Sequence, residues 1–155
     1  VDIIGGKWTT YRQMAEDAVD AAIKENVLPA KECKTVDLKI HGHQAADEKS
    51  HLGFYGSDRA AIEALAAADS KAGSKIHPNH PFLYAEALWA VREEMAQTLE
   101  DVLARRIRLL FLDARAAAES AEDVARYIAA ELGKGETWIS EQTAAFRELA
   151  KQYHF

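Results

Sequence analysis

Apolar residues recur every three or four positions along most of this chain, which is the spacing of helices with one buried face. The first stripe predicts a helix that starts at Thr9 or Thr10, either of which could cap it, and ends near Asn26. The same spacing predicts five further helices. Their expected ranges are 57–69, 82–96, 98–111, 116–132 and 136–153.

The ends of the later helices carry recognisable signals. Ser57 is the expected cap of the second helix. Thr98 and Asp101 resemble a capping box, with Asp in place of the usual Glu or Gln. Gly133 is placed to end the fifth helix in a left-handed conformation. Local sequence therefore supports the helical assignment independently of periodicity.

Two stretches depart from helical spacing. Residues 1–6 look like the end of a buried strand, and a chain that begins inside a strand is expected to be a fragment of a longer protein. Val36, Leu38 and Ile40 alternate with polar residues, which indicates a short extended segment. The predicted fold is an all-α, compact helical domain of about six helices, with a short strand remnant at the N-terminus.

Composition narrows the class of function. The net charge is −6 and the basic residues are scattered among acidic ones, so no nucleic-acid partner is expected, because phosphate binding needs clustered Lys and Arg. Cys33 is the single cysteine, which fits a reducing, cytoplasmic location. His41, His43, His77 and His80 lack the accompanying ligands of a metal site, so no metal is predicted.

One short segment could carry chemistry. Gly5 and Gly6 would let another group approach the backbone closely. The helix that follows presents free N–H groups and a partial positive charge at its start, and Lys7 adds a full charge there. Together these features make an anion-binding corner. The alternative is an ordinary strand-to-helix turn with a solvated lysine.

The same segment begins a resemblance to a known family. Gly-Gly-Lys-Trp-Thr-Thr-Tyr-Arg at 5–12 resembles the end of the flavin domain in FAD-dependent glycerol-3-phosphate dehydrogenases. The likeness continues at 51–56 and 85–96. It is strongest in Thr-Leu-Glu-Asp-Val-Leu-Ala-Arg-Arg-Ile-Arg at 98–108. It covers residues 5 to about 150 and is weakest at 67–80, so it describes a whole domain.

The resemblance implies a cofactor, FAD, held mainly by an N-terminal dinucleotide fold whose Gly-x-Gly-x-x-Gly turn this chain lacks. It also implies oxidation of sn-glycerol 3-phosphate to dihydroxyacetone phosphate, with electrons passing to quinone, by a parent protein peripheral to the inner membrane. Gly5, Gly6, Lys7 and Thr9 would be the cofactor-binding residues, against the isoalloxazine. No catalytic residue is predicted in the isolated chain, which should be inactive and should not bind FAD.

The resemblance also gives a domain division. Residues 1–26 would be the end of the flavin domain, 27–56 an irregular connection, and 57–155 a C-terminal helical cap domain. The partners would be the N-terminal FAD and substrate domains of the same polypeptide. A free-standing helical interaction module is the alternative from another class, and the strand-like start argues against it. The same domain from a glycerol-3-phosphate oxidase is a second alternative, which this sequence does not separate.

Other charged residues have simpler interpretations. Arg105 and Arg106 could contact phosphate or a missing domain, but Arg105 is spaced for an ion pair with Asp101 on one helix face. Glu86 and Glu94 are expected to be solvated helix positions rather than acid–base groups.

Overall fold

The computed structural model describes residues 2–44 and 50–153 of the chain and separates two units, Val1–His43 and Gln44–Phe155. The first unit holds a single turn of 3-10 helix, Trp8–Thr10, followed by α1, Tyr11–Lys24. None of its described residues is fully buried. The apolar stripe of α1 therefore has no core of its own to cover it.

Residues 2–7 and 36–40 form no strand, so the predicted strand remnant and the predicted extended segment are not present as regular structure. A strand is held by hydrogen bonds to a neighbouring strand, and the described residues offer none beyond one isolated bridge between Lys75 and Leu83. The all-α fold class itself is confirmed.

The second unit contains the remaining helices. It opens with a 3-10 segment, His51–Asp58, and closes with another, Lys151–Tyr153. Between them lie α2 (Arg59–Ala68), α3 (Tyr84–Arg92), a π-helical segment (Asp101–Arg106), α4 (Leu109–Leu112), α5 (Ala114–Leu132) and α6 (Glu136–Ala150). Alanine-rich α5 packs against α3, α4 and α6 and forms the centre of the core.

The core of the second unit is aliphatic and closely filled. Its largest wholly buried apolar side chains include Leu99, Leu103, Leu109 and Ile128. Each such side chain contributes about 1.5–3 kcal/mol by leaving water. A second, smaller cluster around Ile62 lies where α2 and the 51–58 segment meet α3.

The predicted fourth helix is broken, and its course corrects the prediction of one continuous helix. The Ile107 N–H bonds to the Val102 carbonyl at 2.9 Å, a separation of five residues that marks the π-helical turn. Arg108 then takes a left-handed backbone, φ 63 and ψ 19, before α4 begins. The extra residue and the turn reset the register, so that Leu103 and Leu109 are both buried.

Some predicted caps are confirmed and others are wrong. Thr98 Oγ1 accepts from the Asp101 N–H at 3.0 Å, and Asp101 Oδ2 accepts from the Thr98 N–H at 3.0 Å, which confirms the capping box. Gly133 ends α5 with φ 65, as predicted. Ser57 does not cap α2, since it lies inside the preceding 3-10 segment. Thr10 precedes α1, but its hydroxyl donates to the Lys7 carbonyl at 3.2 Å instead of accepting from the helix.

Candidate functional site

The glycine–lysine corner adopts a geometry that only one of its two glycines requires. Gly5 has φ 126, a backbone conformation that residues with a Cβ rarely adopt. At Gly6, by contrast, an added Cβ would meet no atom within 4 Å. The turn itself therefore explains Gly5. The open space at Gly6 leaves the backbone accessible to a group from outside the unit.

Within the described part of the chain, the backbone of Lys7 is hydrogen-bonded, whereas its side-chain ammonium is not. Its carbonyl accepts from the Thr10 N–H at 3.1 Å and from the Thr10 hydroxyl at 3.2 Å, which fixes the entry into the helix. Among the described residues, the Lys7 ammonium and the Thr9 hydroxyl have no hydrogen-bond or ion-pair partner, and both residues are exposed. The side chains of Lys7 and Thr9 thus lie beside Gly5 and Gly6 with their polar ends unpaired among the described residues.

Beside these residues is a shallow apolar groove of about 250 Å³. It is lined by Ile3, Gly6, Lys7, Trp8, Tyr11, Met14 and Ala15. Trp8 stacks on Tyr11 with 5.2 Å between ring centroids, yet Trp8 is 80% exposed and Ile4 95% exposed. The groove is therefore an apolar surface with one cation, Lys7, at its edge.

A second constellation, in the other unit, surrounds Glu86. Its carboxylate is 0% exposed and accepts from the Leu83 N–H at 2.7 Å and the Tyr55 hydroxyl at 3.2 Å, and it lies 3.1 Å from His51 Nε2. His51 and Tyr55 belong to the 51–58 segment, whereas Glu86 belongs to α3. The carboxylate therefore ties that segment to the helix.

This arrangement contradicts the expectation that Glu86 is solvated. Burial raises the pKa of the Glu86 carboxyl, and its hydrogen bonds to Leu83, His51 and Tyr55 oppose that rise. Burial is also the main cause that raises the pKa of the Tyr55 hydroxyl, with the charge of Glu86 adding to it. Sequence offered one signal, because Glu86 stands at the third position of a helix, where a carboxylate can reach back to the preceding backbone.

Glu94 also departs from the solvated position expected of it. The residue is half-buried, and burial raises the pKa of its carboxyl. Arg105 behaves as the simpler interpretation predicted, since its Nη1 lies 2.7 Å from Asp101 Oδ1. Arg106 Nη2 donates to the Glu94 carbonyl at 2.6 Å. These arginines therefore have partners within the unit.

The histidines of the 77–81 loop pair with carboxylates of the α5 region. His77 Nε2 lies 3.2 Å from Glu119 and His80 Nε2 lies 3.1 Å from Asp113. Asp113 also accepts from the Ala116 N–H at 2.9 Å, which caps α5. Within residues 2–44 and 50–153, no group of three or more His, Cys, Asp or Glu side chains is arranged to hold a metal ion.

Comparison with known proteins identifies the domain. A family described as the C-terminal domain of alpha-glycerophosphate oxidase matches residues 1–139. The chain belongs to that family. It is 36% identical to a probable mitochondrial glycerol-3-phosphate dehydrogenase of Caenorhabditis elegans, over 99% of this chain and 24% of that protein. It is 35% identical to the mitochondrial glycerol-3-phosphate dehydrogenase of Arabidopsis thaliana, over 84% of this chain and 26% of that protein.

The mitochondrial enzyme of Mus musculus is 32% identical over 92% of this chain and 22% of its own length. The chain thus spans about a quarter of the length of these curated relatives. No solved structure matches it. The resemblance to glycerol-3-phosphate dehydrogenases is confirmed as membership of a C-terminal domain family.

The expected cytoplasmic location is wrong. The relatives just described are all named as mitochondrial proteins, which overturns an expectation that rested on one cysteine. A single thiol does not distinguish between reducing compartments. In the part of the chain that the structure describes, no helix has the length and apolar character needed to cross a membrane.

Proposed function

We propose that this chain is the C-terminal accessory domain of an FAD-dependent dehydrogenase that oxidises sn-glycerol 3-phosphate to dihydroxyacetone phosphate. The observation that carries the proposal is the similarity of nearly the whole chain to enzymes named glycerol-3-phosphate dehydrogenases. The remainder of such a polypeptide would provide the dinucleotide fold and the substrate pocket. Quinone would be the electron acceptor of that whole protein.

The proposed flavin contact is the corner formed by Gly5, Gly6, Lys7 and Thr9. Three features of the corner fit a flavin ring: the open approach at Gly6, the unpaired ammonium of Lys7, and the uncovered apolar groove beside them. When bound, FAD would supply the acceptor for the hydride taken from the substrate. The fit extends to one edge of the cofactor only, because the chain holds no Gly-x-Gly-x-x-Gly turn for the dinucleotide.

The chain's own contribution is electrostatic. A reduced flavin carries additional negative charge on its ring, and the Lys7 ammonium together with the N–H groups at the helix start would stabilise that charge. Thr9 would donate a hydroxyl hydrogen bond at the same edge. Because Gly6 has no side chain, the flavin ring could approach the backbone closely enough for these N–H dipoles to act on it. The domain would thereby raise the midpoint potential of the flavin without containing a catalytic residue.

The domain division is part of this proposal. Residues 1–26 would complete the flavin domain and residues 57–155 would form the helical cap domain. Residues 27–56 would be the irregular connection between them. The absence of any fully buried residue among 2–44 supports this division, because an amphipathic helix without a core needs apolar surface from elsewhere. The same observation counts against a free-standing interaction module, whose first forty residues would have to remain unpacked.

An oxidase remains the second candidate, because the matching family takes its description from alpha-glycerophosphate oxidase. The two enzymes differ in what reoxidises the flavin. The whole polypeptide, supplied with glycerol 3-phosphate, should reduce a quinone analogue without producing a matching amount of hydrogen peroxide. Production of hydrogen peroxide in stoichiometric amount would favour the oxidase over the dehydrogenase. Failure to oxidise glycerol 3-phosphate would contradict both proposals.

Lys7 provides the test of the flavin contact. A partly buried charge near a developing anion contributes about 1–2 kcal/mol, and about 30 mV corresponds to 1.4 kcal/mol for a two-electron couple. Lys7→Met in the whole polypeptide should therefore lower the flavin midpoint potential by about 20–40 mV. If Lys7 contacts substrate phosphate instead, kcat/KM should fall about tenfold with little change in potential.

The matched control is Lys24→Met, which removes the same charge from the exposed last turn of α1. This variant should keep the potential and kcat/KM of the wild type. Lys7→Arg should restore only part of the lost property, because the planar guanidinium needs more room than an ammonium. If a well-folded Lys7→Met variant matches Lys24→Met in both measurements, the corner is an ordinary turn and the flavin contact is refuted.

A further inference from the structure

The described residues of the second unit leave an apolar patch largely exposed, with one edge-on ring contact between Phe111 and Tyr153. Phe54 is 65% exposed, Phe111 54% and Leu112 65%. With Arg108 they border a groove of about 440 Å³ whose floor includes buried Phe82 and Ile107. We name Phe54, Arg108, Phe111 and Leu112 the Phe111 patch. Large aromatic side chains clustered at a concave surface are typical of a binding site.

The charge of this patch is unlike that of the chain as a whole. The side chains that line the groove include the cations of Arg106 and Arg108 and no carboxylate, whereas the chain carries a net charge of −6. Arg106 is held by the Glu94 carbonyl. Arg108 is exposed, and among the described residues its guanidinium has no hydrogen-bond or ion-pair partner. One cation is therefore available to a partner.

Arg108 is also held in an unfavourable backbone conformation. Its φ of 63 lies in the left-handed region, which costs free energy for a residue with a long side chain. Glycine or asparagine would fit that position better. The turn that returns Leu109 to the core therefore holds the Arg108 side chain next to Phe111 and Leu112, at the edge of the groove.

We propose that the Phe111 patch is the surface by which this domain docks on the catalytic part of the same polypeptide, an inference that rests on the function proposed above. The docking surface on that part would present an apolar side chain to the groove and a carboxylate to Arg108. The length of the relatives supports this occupant, since about three quarters of such proteins lies outside this domain.

The same observations disfavour other occupants. A symmetric pair of copies would place Arg108 of one copy near the basic groove of the other, where like charges repel. An anionic membrane surface would attract the arginines but would be repelled by a domain of negative net charge. A partner joined through the chain needs only a small interface, because the connection raises its effective concentration.

Hydrogen–deuterium exchange tests the proposal. Amides of residues 105–113 are compared in this chain and in the whole FAD-loaded polypeptide. Docking should slow their exchange in the whole polypeptide by at least about tenfold, the factor that corresponds to 1.4 kcal/mol. Arg108→Glu and Phe111→Ser should each return the exchange towards the rate of the chain alone. Lys134→Glu, an equal charge change at an exposed residue after α5, should leave it slow.

The possible outcomes separate the two proposals. If the polypeptide oxidises glycerol 3-phosphate but residues 105–113 exchange equally fast in both samples, the docking surface is wrong and the proposed function stands. If these amides become slow only with vesicles of phosphatidylcholine and phosphatidylglycerol, or only at concentrations where light scattering detects dimers, the occupant is a membrane or a second copy and the inference is overturned. Slow exchange without oxidation of glycerol 3-phosphate would refute the proposed function instead.

Discussion

Removal of the Glu86 carboxylate should destabilise the second unit more than removal of an exposed acidic side chain. In Glu86→Ala the Leu83 N–H and the Tyr55 hydroxyl would lose the acceptor that lies 2.7 Å and 3.2 Å away. The Glu86 side chain is wholly buried and Tyr55 is buried too, so water does not easily replace the carboxylate. His51 would lose its contact to α3 at the same time.

The expected size follows from these lost partners. Each buried polar group left without a partner costs about 1–3 kcal/mol. Part of that sum is offset because the variant no longer buries an ionisable carboxyl group. We expect Glu86→Ala to lower the free energy of unfolding by about 3 kcal/mol. Glu86→Gln should cost about 1 kcal/mol or less, because the amide oxygen can still accept from the Leu83 N–H.

Urea unfolding followed by far-UV circular dichroism measures these differences. Glu63→Ala is the control, since Glu63 is an exposed helix residue in an i,i+4 pair with Arg59, worth about 0.5 kcal/mol. Faster amide exchange across 51–58 should accompany the loss in Glu86→Ala, because two of the hydrogen-bonded residues lie in that segment. If Glu86→Ala changes the free energy of unfolding no more than Glu63→Ala does, this account of the buried carboxylate is refuted.

The raised pKa of Glu86 also fixes the direction of a pH effect. Between the ordinary value of 4.5 and the raised folded pKa, the unfolded chain has released this proton while the folded chain still holds it. The contribution of Glu86 to stability is therefore highest below pH 4.5 and falls as pH rises through its folded pKa. Glu86→Gln lacks this titration, so its stability relative to wild type should improve as pH rises over that interval.

Three further predictions concern the cap, the packing and the isolated chain. Asp113→Ala should cost about 1 kcal/mol in urea unfolding through loss of the α5 cap. The Ala116 N–H is the main cause that lowers the Asp113 pKa, so this contribution should be present above pH 3.8 and vanish as pH falls through the folded pKa. Gly73→Ala should cost about 1–3 kcal/mol, because its Cβ would lie 2.6 Å from the Ala66 carbonyl oxygen. In equilibrium dialysis the isolated chain should retain no FAD, and micromolar affinity would contradict the proposed division of the cofactor site.

The helices and their ends were largely predictable because they depend on local sequence. The period of apolar residues, the Thr98–Asp101 capping box and Gly133 each act within one or two turns of chain. The break at Arg108 was not predictable from that period. It depends on the π-helical turn, which adds one residue and lets apolar side chains on both sides of the break reach the core.

Glu86 was missed for a related reason. Helical spacing shows which positions share a face, but burial of a carboxylate depends on donors that come from elsewhere in the chain. His51 and Tyr55 lie 35 and 31 residues before Glu86, and the fold brings them to it. Sequence showed a possible backbone contact three residues away and could not show the two distant partners.

The corner at Gly5–Lys7 differs from Glu86 in what its surroundings supply. Every fully buried residue among those described lies in the second unit, where the polar groups around Glu86 find partners within the same unit. In the first unit the apolar stripe of α1, the Trp8 ring and the Lys7 ammonium are left unused. A polypeptide keeps such groups at a cost unless something covers them. The second unit therefore has a core of its own, whereas the proposed flavin contact would depend on surface from outside the first unit.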